Sequence, residues 1–361
     1  MILFFVTLIV VSQSLSLYVI QPLIFDSTLV RHGRYAITFE AWDTIENDET
    51  LSVVGIGSSL TQYGLNGSCI DSTIIDHNIN VYNLGIPGAY PYTEMIQIER
   101  AVGANPDVII LELNPINLFS FTDAHNIDDY IEMRFTINSL FMKHTDNGDW
   151  KELIRDNDLD YIDHSILNPY NSEKTYFNQA TEQHLKSLFG SEINDGSWAK
   201  NEGLQYFTVP DPESKGWENY LKNPVLLPRY LDSFNSSELS YYENFTILEH
   251  LNRARYNPDS EINLNKLALE YMVESFSKNN IETILISYPI YPKAVEMLND
   301  NQLDEHNNTI SNLLKYDNVK SLNLIWLDIW DNQDFYDIEH LDSHGREKLC
   351  SIISSDVYES L

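Results

Sequence analysis

Apolar residues come along this chain in short blocks whose length and chemistry suit buried strands. Leu51–Ile56, Ile79–Asn83, Asp107–Leu113, Ile281–Ser287 and Leu322–Asp328 are rich in Val, Ile and Leu. Short apolar, β-branched runs of this kind belong to strands covered on both faces. Helical patterns separate them: Thr93 to Val102 ahead of Pro106, and an amphipathic stretch from Leu264 to Phe276. Strands alternating with helices predict an α/β fold with about five parallel strands.

The chain from Leu113 to Ile281 is far longer than a crossover helix needs. Residues 118–262 therefore read as an inserted, mostly helical subdomain or lid, with helical patterns at 127–142 and 178–189. The α/β domain is then residues 26–117 joined to 263–361. Trp150, Trp198, Trp217, Tyr241 and Tyr242 of the insertion suit either a sugar-stacking platform or the core of the subdomain.

Residues 1–25 carry no charged side chain. That length suits a membrane anchor or an uncleaved secretory signal, with the catalytic domain extracytoplasmic. Arg31 and Arg34 follow the segment and by the positive-inside rule favour the opposite orientation. A soluble cytoplasmic protein whose first 25 residues pack as a core helix is the alternative. Sequons at Asn66, Asn235, Asn244 and Asn307 lean toward an outside location.

Charge narrows the partners. Against 22 Lys and Arg stand 54 Asp and Glu, a formal net charge of −32. Such a surface repels nucleic acid and anionic headgroups, and both are set aside. The two cysteines, Cys69 and Cys350, form no C-x-x-C pair and hence no structural zinc site. They are either one disulfide of an oxidising compartment or two buried thiols.

Open parallel sheets place their sites beyond the carboxyl ends of the strands. Strand one runs into Gly57-Ser58-Ser59, strand two into a turn ending at Gly88, strand three into Asn114-Pro115-Ile116-Asn117. Past strand five come Asp337 and His340, with Asp342 and His344 as close competitors. A serine hydroxyl needs a base to become a nucleophile, and histidine titrates in the useful range. A carboxylate then orients the imidazole, while backbone N–H groups and an amide can hold an oxyanion. Ser59, His340 and Asp337 fill the first roles; the N–H groups of Ser59 and Gly88, with Asn117 or Asn114, fill the last. Tyr288-Pro289-Ile290-Tyr291-Pro292 after strand four is either the pocket edge or a rigid loop.

In these residues the chain resembles the SGNH, or GDSL-type, hydrolase superfamily. Gly57-Ser58-Ser59-Leu60-Thr61-Gln62-Tyr63-Gly64 is similar to its first block, G-D-S-L-T-x-x-G, with Ser58 where the family has aspartate. Asn83 to Gly88 resembles the second block, with Gly88 as the oxyanion glycine, and Asp337-x-x-His340 resembles the last. The third block, G-x-N-D, is replaced by Leu113-Asn114-Pro115-Ile116-Asn117. The Gly-Ser-Ser form is similar to anchored members that move acyl groups on cell-surface polymers, of the D-alanyl-transfer and alginate O-acetylation type. The resemblance implies a three-layer, flavodoxin-like fold and a serine esterase or O-acyltransferase acting on acyl esters of a cell-surface glycan or lipid. It implies no cofactor and no metal, and it admits a membrane-bound acyl-transfer partner. The alternative is a catalytically inactive scaffold that binds a glycan or protein.

Overall fold

The computed structural model describes residues 33–86, 89–118, 216–223, 234–248 and 263–361, with a few single positions besides. The expectations for the apolar N-terminal segment, for helices at 127–142 and 178–189, and for Trp150, Trp198 and Gly88 lie outside the described residues. Among the described residues no helix is long and apolar enough to cross a membrane.

The expected α/β class is found, with one all-parallel sheet of β1 (Leu51–Ile56), β2 (Ile79–Asn83), β3 (Val108–Glu112), β4 (Glu282–Ser287) and β5 (Val319–Asn323). The order is β2-β1-β3-β4-β5. Every residue of β3 is buried, so the sheet centre is covered on both faces, which is why the strand reads as an unbroken apolar run. The direction in which successive strands are added to the sheet reverses between β1 and β3, the switch point where ligands of such sheets bind.

The fifth strand begins earlier than the apolar run at Leu322–Asp328 suggests. It covers Val319–Asn323, with Lys320 and Ser321 exposed, and Leu324–Asp328 forms turns instead. An edge strand is half solvated, so its outer positions carry no apolar signal. The stronger run downstream leaves Trp326 and Leu327 exposed.

Helices α1 (Gly33–Glu46), α2 (Ser59–Gly64), α3 (Gly67–Thr73), α4 (Ile98–Ala104), α5 (Leu264–Lys278), α6 (Asp300–Leu313) and α7 (Ser343–Tyr358) flank the sheet. One packed group joins α1, α4 and α5, and another joins α2, α3 and α7. Side-chain caps set several of the starts: Ser58 for α2, Asn66 for α3, Asn299 with Gln302 for α6, and Asp342 for α7. Each cap meets an N–H that the helix itself leaves without an acceptor.

The described parts of the insertion pack onto the α/β domain. Trp217 is buried, donates from Nε1 to Thr44 Oγ1 at 2.9 Å and stacks on Tyr220. Tyr242 is buried edge-on to Phe234 and Tyr291. These two aromatics serve the core, whereas Tyr241 is 65% exposed and stacks on Phe245.

The cysteines form one disulfide. Cys69 in α3 and Cys350 in α7 have Cα atoms 6.2 Å apart across 281 residues of sequence. Closing so long a loop removes much of the freedom of the unfolded chain and is worth about 2–5 kcal/mol. Reduction, or Cys350→Ala, should therefore lower the midpoint of urea unfolding by that equivalent. Coincident curves for oxidised and reduced protein would show that the bond contributes nothing.

Candidate active site

The turn after β1 separates two adjacent serines by environment. Ser58 is buried; its Oγ donates to Glu112 Oε1 at 2.7 Å and accepts from Leu60 N at 3.2 Å. Ser59, the first residue of α2, is partly exposed and its Oγ lies 2.7 Å from His340 Nε2. Only the second hydroxyl is both reachable and paired with a base.

Glycine is required at two points of this turn. A Cβ on Gly57 would collide with Thr61 Oγ1 and Glu112, and one on Gly85 would collide with Gln62 N and Ser58 O. The loop after β2 thus lies directly against the start of α2, and Ile86 N donates to Gly57 O at 2.8 Å. Asn83, at the end of β2, holds α2 from the same side. Its Nδ2 donates to Thr61 O (3.0 Å), Gln62 O (3.0 Å) and Leu65 O (2.7 Å), and its Oδ1 accepts from Gly85 N (3.0 Å).

His340 and Asp337 come from the loop ahead of α7. His340 Nδ1 lies 2.8 Å from Asp337 Oδ2, and Asp337 Oδ1 accepts from the backbone N–H of Glu339 (2.9 Å) and His340 (2.8 Å). The two side chains are 18% and 28% exposed, so the imidazole can be reached. With Nδ1–H donated to the carboxylate, Nε2 is left to accept from Ser59. Tyr63 meets the imidazole edge-on at 5.1 Å.

The competitors have other work. His344 Nδ1 pairs with buried Asp334 Oδ1 at 2.8 Å, and Asp342 caps α7 by accepting from His344 N and Gly345 N. The segment 288–292, expected as either the pocket edge or a rigid loop, is firmly anchored. Tyr288, Ile290 and Tyr291 are buried, and Tyr291 N donates to Ile338 O at 2.9 Å.

The expected oxyanion groups are placed unequally. In the first turn of α2 the N–H groups of Leu60 and Thr61 are taken by Ser58 and Glu112. Among the described residues no acceptor is found for the Ser59 N–H. Asn114 is fully buried, with Nδ2 3.4 Å from Tyr288 O; among the described residues its Oδ1 has no partner. That long bond leaves the amide weakly held. Asn117 belongs to the 3₁₀ turn Pro115–Leu118, and its side chain lies outside the described residues, as does Gly88.

Sequence reasoning missed Glu112 and Asn83 as groups that shape the site. Glu112 gave no signal because a carboxylate ending an apolar strand looks like the first solvent-exposed position. A shallow cavity of about 660 Å³ lined by Glu40, Asp43, Asp48, Asn80, Tyr82 and Glu218 lies at the amino ends of β1 and β2, away from Ser59. Among the described residues no cluster of side chains could hold a metal ion.

No family model matches the chain, and no curated protein matches it in sequence. The functional reading therefore rests on these side chains.

Burial would depress the His340 imidazole, but the Asp337 carboxylate, with Glu339 and Glu112 behind it, outweighs this and lifts it to about 9. Burial would likewise raise Asp337, and His340 with the two backbone N–H groups holds it below the usual carboxylate range. Only the neutral imidazole can accept a proton. Any reaction that uses it should gain rate as pH rises toward about 9. In Asp337→Asn the main cause of the upward shift is gone, so the acidic limb of kcat/KM should move to lower pH while the rate falls by roughly 10⁴. A limb that stays in place would mean that another group sets it.

Proposed function

We propose that the protein is a serine esterase or O-acyltransferase of the SGNH type, acting on acyl esters of a cell-surface glycan or lipid. The observation that carries this reading is the unbroken hydrogen-bonded chain from Ser59 Oγ through His340 to Asp337, with distances of 2.7 and 2.8 Å. Strand order β2-β1-β3-β4-β5 and the position of this chain at the carboxyl edge agree with a flavodoxin-like SGNH domain bearing an insertion after β3.

In this mechanism Ser59 Oγ attacks the acyl carbonyl as its proton passes to His340 Nε2. Asp337 stabilises the imidazolium. The tetrahedral oxyanion meets the Ser59 N–H, the Gly88 N–H and an asparagine amide. Collapse expels the alcohol, which takes the proton from Nε2, and leaves an acyl ester on Ser59. Water or an acceptor hydroxyl then attacks this ester, its proton moving to Nε2 and on to Ser59 Oγ as the acyl group departs. The same side chains serve hydrolysis and transfer. No metal or cofactor enters any step.

A binding scaffold that has lost its chemistry would be favoured by Ser59 and His340 standing beyond hydrogen-bond reach. They stand within it. The disulfide suits an oxidising compartment, which supports an extracytoplasmic catalytic domain.

A fluorophosphonate probe should label wild-type protein at Ser59. Ser59→Ala should abolish labelling, and His340→Ala should slow it by on the order of 10⁴ or more. His344→Gln should label at the wild-type rate, because that ring serves Asp334. An unlabelled Ser59 in folded wild-type protein would sink the catalytic reading.

A further inference from the structure

A carboxylate outside the chain Ser59–His340–Asp337 lies closest to the nucleophile turn. Glu112 ends β3 and is 2% exposed. Its Oε2 accepts from Ser58 N (2.8 Å), Thr61 N (3.1 Å) and Thr61 Oγ1 (2.8 Å), and its Oε1 accepts from Ser58 Oγ (2.7 Å). Each of these four donors belongs to a residue just before Ser59 or two after it. A buried carboxylate is tolerated only where donors meet its lone pairs, and here the donors are the two sides of the serine turn. Gly57 leaves the room that lets the carboxylate come this close.

Resting on the esterase or acyltransferase reading above, we propose that Glu112 is the positioning residue for Ser59. Its charge grips the turn from a neighbouring strand and keeps Ser59 Oγ on His340 Nε2. A neutral or shortened side chain would leave the serine present but unaimed.

The four bonds from Ser58 and Thr61 favour charge at this position, against its burial. Glu94 is also buried, and among the described residues its Oε2 has no partner. Burial, and after it the Glu112 charge, push the Glu94 carboxyl well above the usual range. Burial raises the Glu112 carboxyl above its usual range, and the bonds from Ser58 and Thr61 oppose that rise without cancelling it. Tyr288, kept neutral by burial, feels both Glu112 and the cation of Arg346. At the imidazole itself the facing charges are Asp337, Glu339 and Glu112, with Tyr63 edge-on. Glu112 therefore also adds to the field that favours the imidazolium.

The test compares Glu112→Asp and Glu112→Gln with wild type by rate of Ser59 labelling with a fluorophosphonate, by pH profile and by melting temperature. Aspartate withdraws the carboxylate by one methylene, and labelling should slow by on the order of 10²-fold. Glutamine keeps the shape and one acceptor oxygen but not the charge. It should slow labelling less and move the acidic limb to lower pH. A merely structural tie would lower the melting temperature of both variants and leave rate and limb unchanged in the folded protein, and that result overturns the proposal. Should Glu112→Asp fail to fold, Thr61→Val removes the hydroxyl bond to Glu112 and decides instead: slower labelling supports the role, an unchanged rate overturns it. Absence of labelling in wild type would defeat the esterase reading itself, whereas normal wild-type labelling with unaffected variants defeats only the positioning role.

Discussion

A carboxylate shut inside a protein has to be met by hydrogen-bond donors, and that requirement organises the centre of this molecule. Glu112 closes β3 within the interior, and the donors nearest to it are those of the turn leaving β1. Asn83 holds the same turn from β2 through the carbonyls of Thr61, Gln62 and Leu65. Three strand ends thus converge on one short helix. A six-residue helix has little stability alone, so the conformation at Ser59 is a property of these neighbours.

The opposite wall of the site depends on the last part of the chain. His340 stands 281 residues after Ser59, and the loop that carries it is pinned at several points. Phe335 bridges Leu341, Tyr336 N donates to His340 O at 2.8 Å, and Ile338 O accepts from Tyr291. Beyond the loop, Asp342 starts α7, and buried Asp334 collects His344 at 2.8 Å and Lys348 at 2.7 Å. The disulfide then ties α7 back to α3, which follows the serine helix almost directly. Two distant pieces of chain are held at one edge by hydrogen bonds, ion pairs and a covalent link together.

Aromatic residues show how polarity and burial divide the insertion. Trp217 and Tyr242 look alike in sequence to Tyr241, yet the first two enter the core and the third stays in solvent. Tyr291 forms part of the reason, because its ring meets Tyr242 and its hydroxyl donates to Glu243 at 2.8 Å. The helix that carries Tyr242 is thereby turned so that Tyr241 and Phe245 face outward.

Much was written locally. Short blocks dominated by Val, Ile and Leu placed four strands nearly to the residue, because burial within a sheet demands mostly apolar side chains. The Gly-Ser-Ser turn and Asp337-x-x-His340 stood out because each depends on neighbours in sequence: a glycine beside a serine, and a carboxylate one turn from its imidazole. Local pattern could not locate β5, whose exposed Lys320 and Ser321 carry no apolar signal. The sequence favoured Ser59 over Ser58 and His340 over His344, but it held no contact that explains the choice. Those choices turn on which hydroxyl Glu112 buries and which imidazole Asp334 captures. Both are contacts between residues far apart in the chain, and only the tertiary structure brings such partners together.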